Sequence, residues 1–159
     1  MNKGIIVKKV LAQLTAELES YGKAARAAHA EATHEQSKAE NKYDTRGLEA
    51  AYLARGQSKQ MAEAAQAMEQ FSVMPLREFG PKDPIDLSAL VQLDGNGERS
   101  FYLIGPKAGG TEVIHEKKPI MVLTPQSPLG EKLAGKKQGE EVKMKFGSAE
   151  ETYRIVSVE

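Results

Sequence analysis

Cysteine and tryptophan are absent from the 159 residues, and no proline occurs before Pro75. Without cysteine there is no disulfide, no thiolate zinc site and no cysteine nucleophile, and the composition fits a reducing, cytoplasmic interior. Charge of one sign is also missing: 22 cationic residues balance 22 acidic ones. The chain therefore lacks the long-range positive field that draws proteins to bare DNA or RNA, and no binding of free nucleic acid is expected. Nor is there an apolar run near the about 18 residues that a bilayer-spanning helix needs. Gly4-Ile5-Ile6-Val7 is short and meets Lys8 and Lys9 at once, so neither a membrane span nor a signal-peptide core is expected.

The residues that are present fall into two regimes. The first 70 are rich in Ala, Glu, Lys and Gln, whereas all seven prolines and most glycines lie beyond Val73. Continuous helix suits the first part; the second must turn often and holds residues suited to strands. Two domains follow, residues 1–75 and 76–159. In the first, Val7, Leu11, Leu14, Leu18, Tyr21, Ala25, Ala28 and Ala32 recur at alternating spacings of four and three. That is a coiled-coil seam, and it predicts a helix over about residues 7–41, on the order of 50 Å long. A second run from Thr45 to Phe71 repeats the alternation at Ala51, Ala54, Ser58, Met61, Ala65 and Met68. Its stripe is narrow and poor in large residues, so it needs a partner; the short Tyr43-to-Gly47 joint makes the first helix that partner in an antiparallel hairpin.

The second domain reads as strands. Asp86–Leu93 alternates, Asp94-Gly95-Asn96-Gly97 is a hairpin signal, and Ser100–Ile104 returns. Strands are also expected at Pro119–Leu123, Glu141–Phe146 and Glu150–Val158. Between them Ser127 to Leu133 forms a short helix, with Ser127 as N-cap and Pro128 at its first position. The expectation is an α+β chain: a helical hairpin, then a small antiparallel sheet carrying one short helix.

Thr124 through Val142 resembles the C-terminal domain of the Gre transcript-cleavage factors. That family carries Ser-Pro-(apolar)-Ala-x-x-Leu-(apolar)-Gly-Lys-x-x-x-Asp-x-Val after a strand, and here Ser127, Pro128, Leu129, Leu133, Gly135, Lys136 and Val142 match it. The resemblance implies an N-terminal coiled-coil finger and an FKBP-like C-terminal domain. It implies RNA polymerase as partner: the globular domain docks at the rim of the secondary channel and the finger passes inward to the catalytic magnesium. Docking would fall to Gln126, Ser127, Pro128 and Leu129, Gln126 standing where the family has an acid.

The family's tip pattern, Asp-x-x-Glu-Asn-Ala-Glu-Tyr, has a partial counterpart here in Asp44 through Tyr52, with one extra residue, Gly47 where Glu is usual and the second acid displaced to Glu49. The resemblance makes Asp44, Glu49 and Glu40 candidate tip carboxylates. Carboxylate oxygens of this kind hold a hard divalent ion and orient water. Asp44 and Glu49 would ligate magnesium only when docked; the chain needs no cofactor of its own and shares the polymerase's metal. Arg46 is the candidate contact to RNA phosphate, so nascent RNA would be met only through the polymerase. An elongated monomer acting as an accessory factor rather than an enzyme is the expectation. A non-cleaving relative that occupies the channel is the first alternative; prolyl isomerisation and a coiled-coil adaptor are more distant ones. Asp44 also reads as an N-cap, and Glu40 and Glu49 also read as solvated helix residues. His34-Glu35 lacks the second histidine of a zinc-protease helix, because Lys38 stands there.

Overall fold

The computed structural model of the chain describes residues 1–34 and 46–159. Among these residues two long helices, α1 (Lys3–Thr33) and α2 (Arg46–Val73), precede six strands and one short helix. The strands are β1 (Leu90–Gly95), β2 (Glu98–Ile104), β3 (Glu112–His115), β4 (Lys118–Leu123), β5 (Glu141–Phe146) and β6 (Ala149–Val158), with α3 (Pro128–Leu133) between β4 and β5. The fold is α+β, as the residue pattern predicts. Packing divides the chain into two compact units, Ala12–Met68 and Met1–Leu11 together with Glu69–Glu159. The outer turns of both helices thus group with the sheet, whereas a boundary between 75 and 76 follows secondary structure alone.

Within the helical unit the two helices run antiparallel. The Thr15 hydroxyl lies 4.0 Å from Met68 Sδ, and seven residues further along α1 a side chain on Gly22 would meet Met61 Sδ at 3.2 Å. Leu14, Ala25 and Ala28 are buried and Leu11, Leu18, Tyr21 and Ala32 partly so, as the seam of α1 requires. On α2 the seam is offset from the expected one. Ala54 and Ala64 are buried, Ala50, Gln57, Met61 and Met68 are partly buried, and Ala51, Ser58 and Ala65 are exposed. A four-three alternation through Ala54, Met61 and Met68 can be completed on either side, and α2 has alanine on both; packing selects 50, 57 and 64.

The other unit is a six-stranded sheet in the order β3-β4-β2-β1-β6-β5. Its hairpins are tight: Asn96 and Gly97 (φ 56° and 82°) turn β1 into β2, and Glu116 and Lys117 (φ 50° and 62°) turn β3 into β4. β2 and β4 pair in parallel, Phe101 opposite Ile120 and Ile104 opposite Leu123. The sheet is therefore mixed, which corrects the wholly antiparallel sheet expected from hairpin signals. The burial of the strands explains the order. Ile120 and Val122 of β4 are fully buried, whereas Glu112 and Ile114 of β3 are exposed, so β4 takes an interior place and β3 the edge.

One face of the sheet packs Val91, Leu93, Ile104, Ile155 and Val158 with Ile85 and with Leu133 of α3. Elsewhere in this unit Ile6, Val10 and Phe71 are almost wholly buried. Gly105 accommodates Phe71: a Cβ there would lie 2.6 Å from the ring's Cζ. The first strand starts later than expected, because Ser88 takes a positive φ of 71° and its hydroxyl accepts the Arg77 amide at 3.1 Å.

Candidate functional site

The Thr124–Leu133 segment is a helix start fixed from both sides. Ser127 is extended (φ −68°, ψ 154°), the backbone an N-cap requires, and Pro128 follows at the first turn. The Ser127 hydroxyl accepts the Gly130 amide at 3.1 Å and donates to the Thr124 carbonyl at 2.8 Å. The Ser127 amide reaches the same carbonyl at 3.1 Å, so the loop closes on itself before the helix begins. Gly130 is indispensable to this closure: a Cβ there would stand 1.9 Å from the Thr124 oxygen. The family pattern has alanine at this position, and here the Thr124 carbonyl occupies the space.

At its far end α3 is tied to the strand-like approach to β1. Gly135 donates to the Ile85 carbonyl at 2.9 Å and Ile85 donates back to Lys136 at 2.8 Å. Leu133 is fully buried and Leu129 packs against the same core cluster. Anchored in this way, the segment turns Gln126 and Pro128 outward as exposed residues, with Ser127 and Leu129 partly covered. Of the four residues expected to dock, two therefore offer free surface, and Ser127 serves by holding them in place. Thr124 and Gly130 were not among the expected residues; a glycine in the first turn of a capped helix is the signal that a backbone crosses there.

Glu49 sits exposed in the first turn of α2, where a carboxylate favours the positive end of the helix dipole. Arg46 is the first residue of that helix. Asp44 and Glu40 lie outside the described residues. Among the described residues no three His, Asp or Glu side chains converge in a metal-holding group. Glu49 alone does not close a divalent site, which would need further ligands.

Residues 81–159 match the family model of the C-terminal domain of the GreA/GreB transcription elongation factors. Through this half the chain belongs to the Gre-type factors. The matched range begins at Pro81 and takes in the whole sheet, α3 and its capped start. Solved structures with a similar trace include the Gfh1 factor of Thermus aquaticus, at 24% identity and TM-score 0.41 over 95% of this chain and 92% of that one. The GreA factor homolog 1 (Gfh1) protein of Thermus thermophilus is 19% identical, with TM-score 0.39 over 94% of each chain. A GreA/GreB elongation factor from Nitrosomonas europaea is 24% identical, with TM-score 0.37 over 65% of this chain and 78% of that one. No curated protein sequence matches the chain. No helix among the described residues is long and apolar enough to cross a membrane.

Proposed function

We propose that this Gre-type factor acts on RNA polymerase from the secondary channel: its sheet domain docks at the rim through Gln126 and Pro128, and its helical hairpin carries acidic groups inward that stimulate cleavage of backtracked RNA. The match of residues 81–159 to the GreA/GreB family carries this reading. The capped and anchored start of α3 supports it, because a short exposed epitope binds best when its backbone is fixed beforehand. In this reading the chain is an accessory factor, working as a cytoplasmic monomer; the active site belongs to the polymerase.

The task left to the hairpin is to supply oxygen. Asp44 is the principal carboxylate, Glu49 its helper and Glu40 a substitute, while Arg46 steadies an RNA phosphate. Magnesium held jointly with the polymerase would provide the charge that activates water. Glu49 lies on a helix rather than on a loop, which restricts its reach to its own exposed face. Its displacement from the family spacing, with Gly47 in the place of an acid, favours a second reading in which the factor occupies the channel without promoting cleavage.

Transcript cleavage in arrested elongation complexes decides between them. Shortened RNA with the natural chain and none with an Asp44→Ala, Glu49→Ala double variant is the expected result. Cleavage that survives both substitutions removes these acids from the mechanism. Binding to the polymerase with RNA of unchanged length selects the non-cleaving reading.

A further inference from the structure

The seam that α2 uses against α1 leaves a second stripe of that helix uncovered. Leu48, Ala51, Arg55 and Ser58 follow one another at helical spacing and all are exposed, Leu48 by 55% and the neighbouring Tyr52 by 60%. Beyond Leu48 this stripe lines one wall of a groove of about 700 Å³ within the helical unit, where Ala51, Arg55 and Ser58 share the lining with Gly22, Arg26 and His29 of α1. Gly22 contributes no side chain to the lining, and Met61 Sδ at 3.2 Å and an Arg26 guanidinium nitrogen at 3.4 Å lie close to where a Cβ on it would be. The chargeable residues of the lining are Arg26, Arg55 and His29, and it contains no carboxylate.

We propose that this groove is the docking site for an acidic amphipathic helix of a partner protein. Small apolar side chains of such a helix enter between α1 and α2, its larger ones cover Leu48, and its carboxylates meet Arg26 and Arg55 along the rim. Anchors at i, i+3 and i+7 are how a helix face is read by another helix, and charge complementarity at the rim sets orientation and partner choice. The lining argues against a polynucleotide. A strand-binding track alternates repeated cations with aromatic platforms, whereas this lining is mostly Ala, Gly, Ser and Met and holds no Phe, Tyr or Trp ring; Tyr52 on α2 already has Arg55 over its ring at 5.9 Å. The inference goes beyond the polymerase reading and stands without it.

The test uses the full chain, isotope-labelled, and two designed 18-residue helical peptides with the same alanine and leucine positions, one carrying glutamates and one lysines. The glutamate peptide is expected to move the amide resonances of Gly22, Ala51 and Ser58, and the lysine peptide to leave them in place. An Arg26→Glu, Arg55→Glu variant with an unchanged thermal transition is expected to lose about tenfold in affinity for the glutamate peptide and to gain for the lysine one. Equal response to both peptides, response confined to other residues, or none overturns the proposal. So does displacement by a uridine oligonucleotide alone, which would give the groove to RNA, or a peptide-free, concentration-dependent shift with dimer in sedimentation, which would give it to a second copy.

Discussion

The helical unit and the sheet unit use opposite strategies for their interiors. In the sheet unit, large side chains such as Phe71, Leu103, Ile120, Leu133 and Ile155 are nearly or wholly buried, and their positions are mutually constrained. Among the described residues of the helical unit, those buried beyond Leu14 are Gly22 and alanines, with Leu18, Met61 and Met68 only partly covered. Burial contributes roughly 25 cal/mol per Å² of apolar surface, so the hairpin gains less from each seam position and depends more on helix propensity and close backbone approach. The difference suits the proposed role, in which the sheet unit presents a fixed docking segment and the helical unit a slender one.

Replacing Phe71 should show the contrast at its greatest. Phe71→Ala is expected to cost about 3–5 kcal/mol in urea unfolding followed by β-sheet signal; a loss below about 1 kcal/mol would mean that α2's last turn is not part of the sheet's core. The seam of α2 comes next. Ala64→Glu, which forces a charge between the helices, should destabilise the hairpin by about 1–3 kcal/mol, whereas Ala65→Glu should stay within about 0.5. Amide exchange along α1 measures both, and equal effects would refute the offset register. Gly130→Ala should lower the sheet's stability by about 1–3 kcal/mol, because the Thr124 carbonyl must yield. Ser127→Ala should cost about 1 kcal/mol through the lost cap.

The smallest effect concerns Tyr153, whose hydroxyl donates to Glu151 at 2.5 Å. That bond, with burial second, holds its pKa up at about 12, above the ordinary 10.0. A raised folded value means that the bond's stabilisation is complete below about pH 10 and is lost as pH rises through 12. Glu151→Gln should bring the phenol's ultraviolet titration back toward its ordinary range; an unmoved midpoint would show that the bond does not govern it.

Much of this was legible in the residues themselves, and the exceptions have physical causes. The Asn96-Gly97 turn, the Ser127 cap and the last two strands announced themselves because each uses residue types that one conformation strongly favours. The β3–β4 hairpin did not, since Glu116 and Lys117 adopt positive φ without glycine or asparagine to signal it; missing β3 concealed the parallel pairing of β4. On α2 the seam was ambiguous because alanine lies on both sides of Ala54, Met61 and Met68. For the candidate site, the place of Pro128 at the helix start was legible, but its exposure and the two bonds of Ser127 to Thr124 and Gly130 depend on a loop path that spacing does not encode.

The central claim is that the α3 segment anchors this chain to RNA polymerase, and co-sedimentation of the full chain with core polymerase tests it most directly. The account predicts co-migration of the natural chain, and marked loss of it in a Gln126→Ala, Pro128→Glu variant whose unfolding transition matches the natural one. Failure of the natural chain to co-migrate, or undiminished co-migration of the variant, would contradict it.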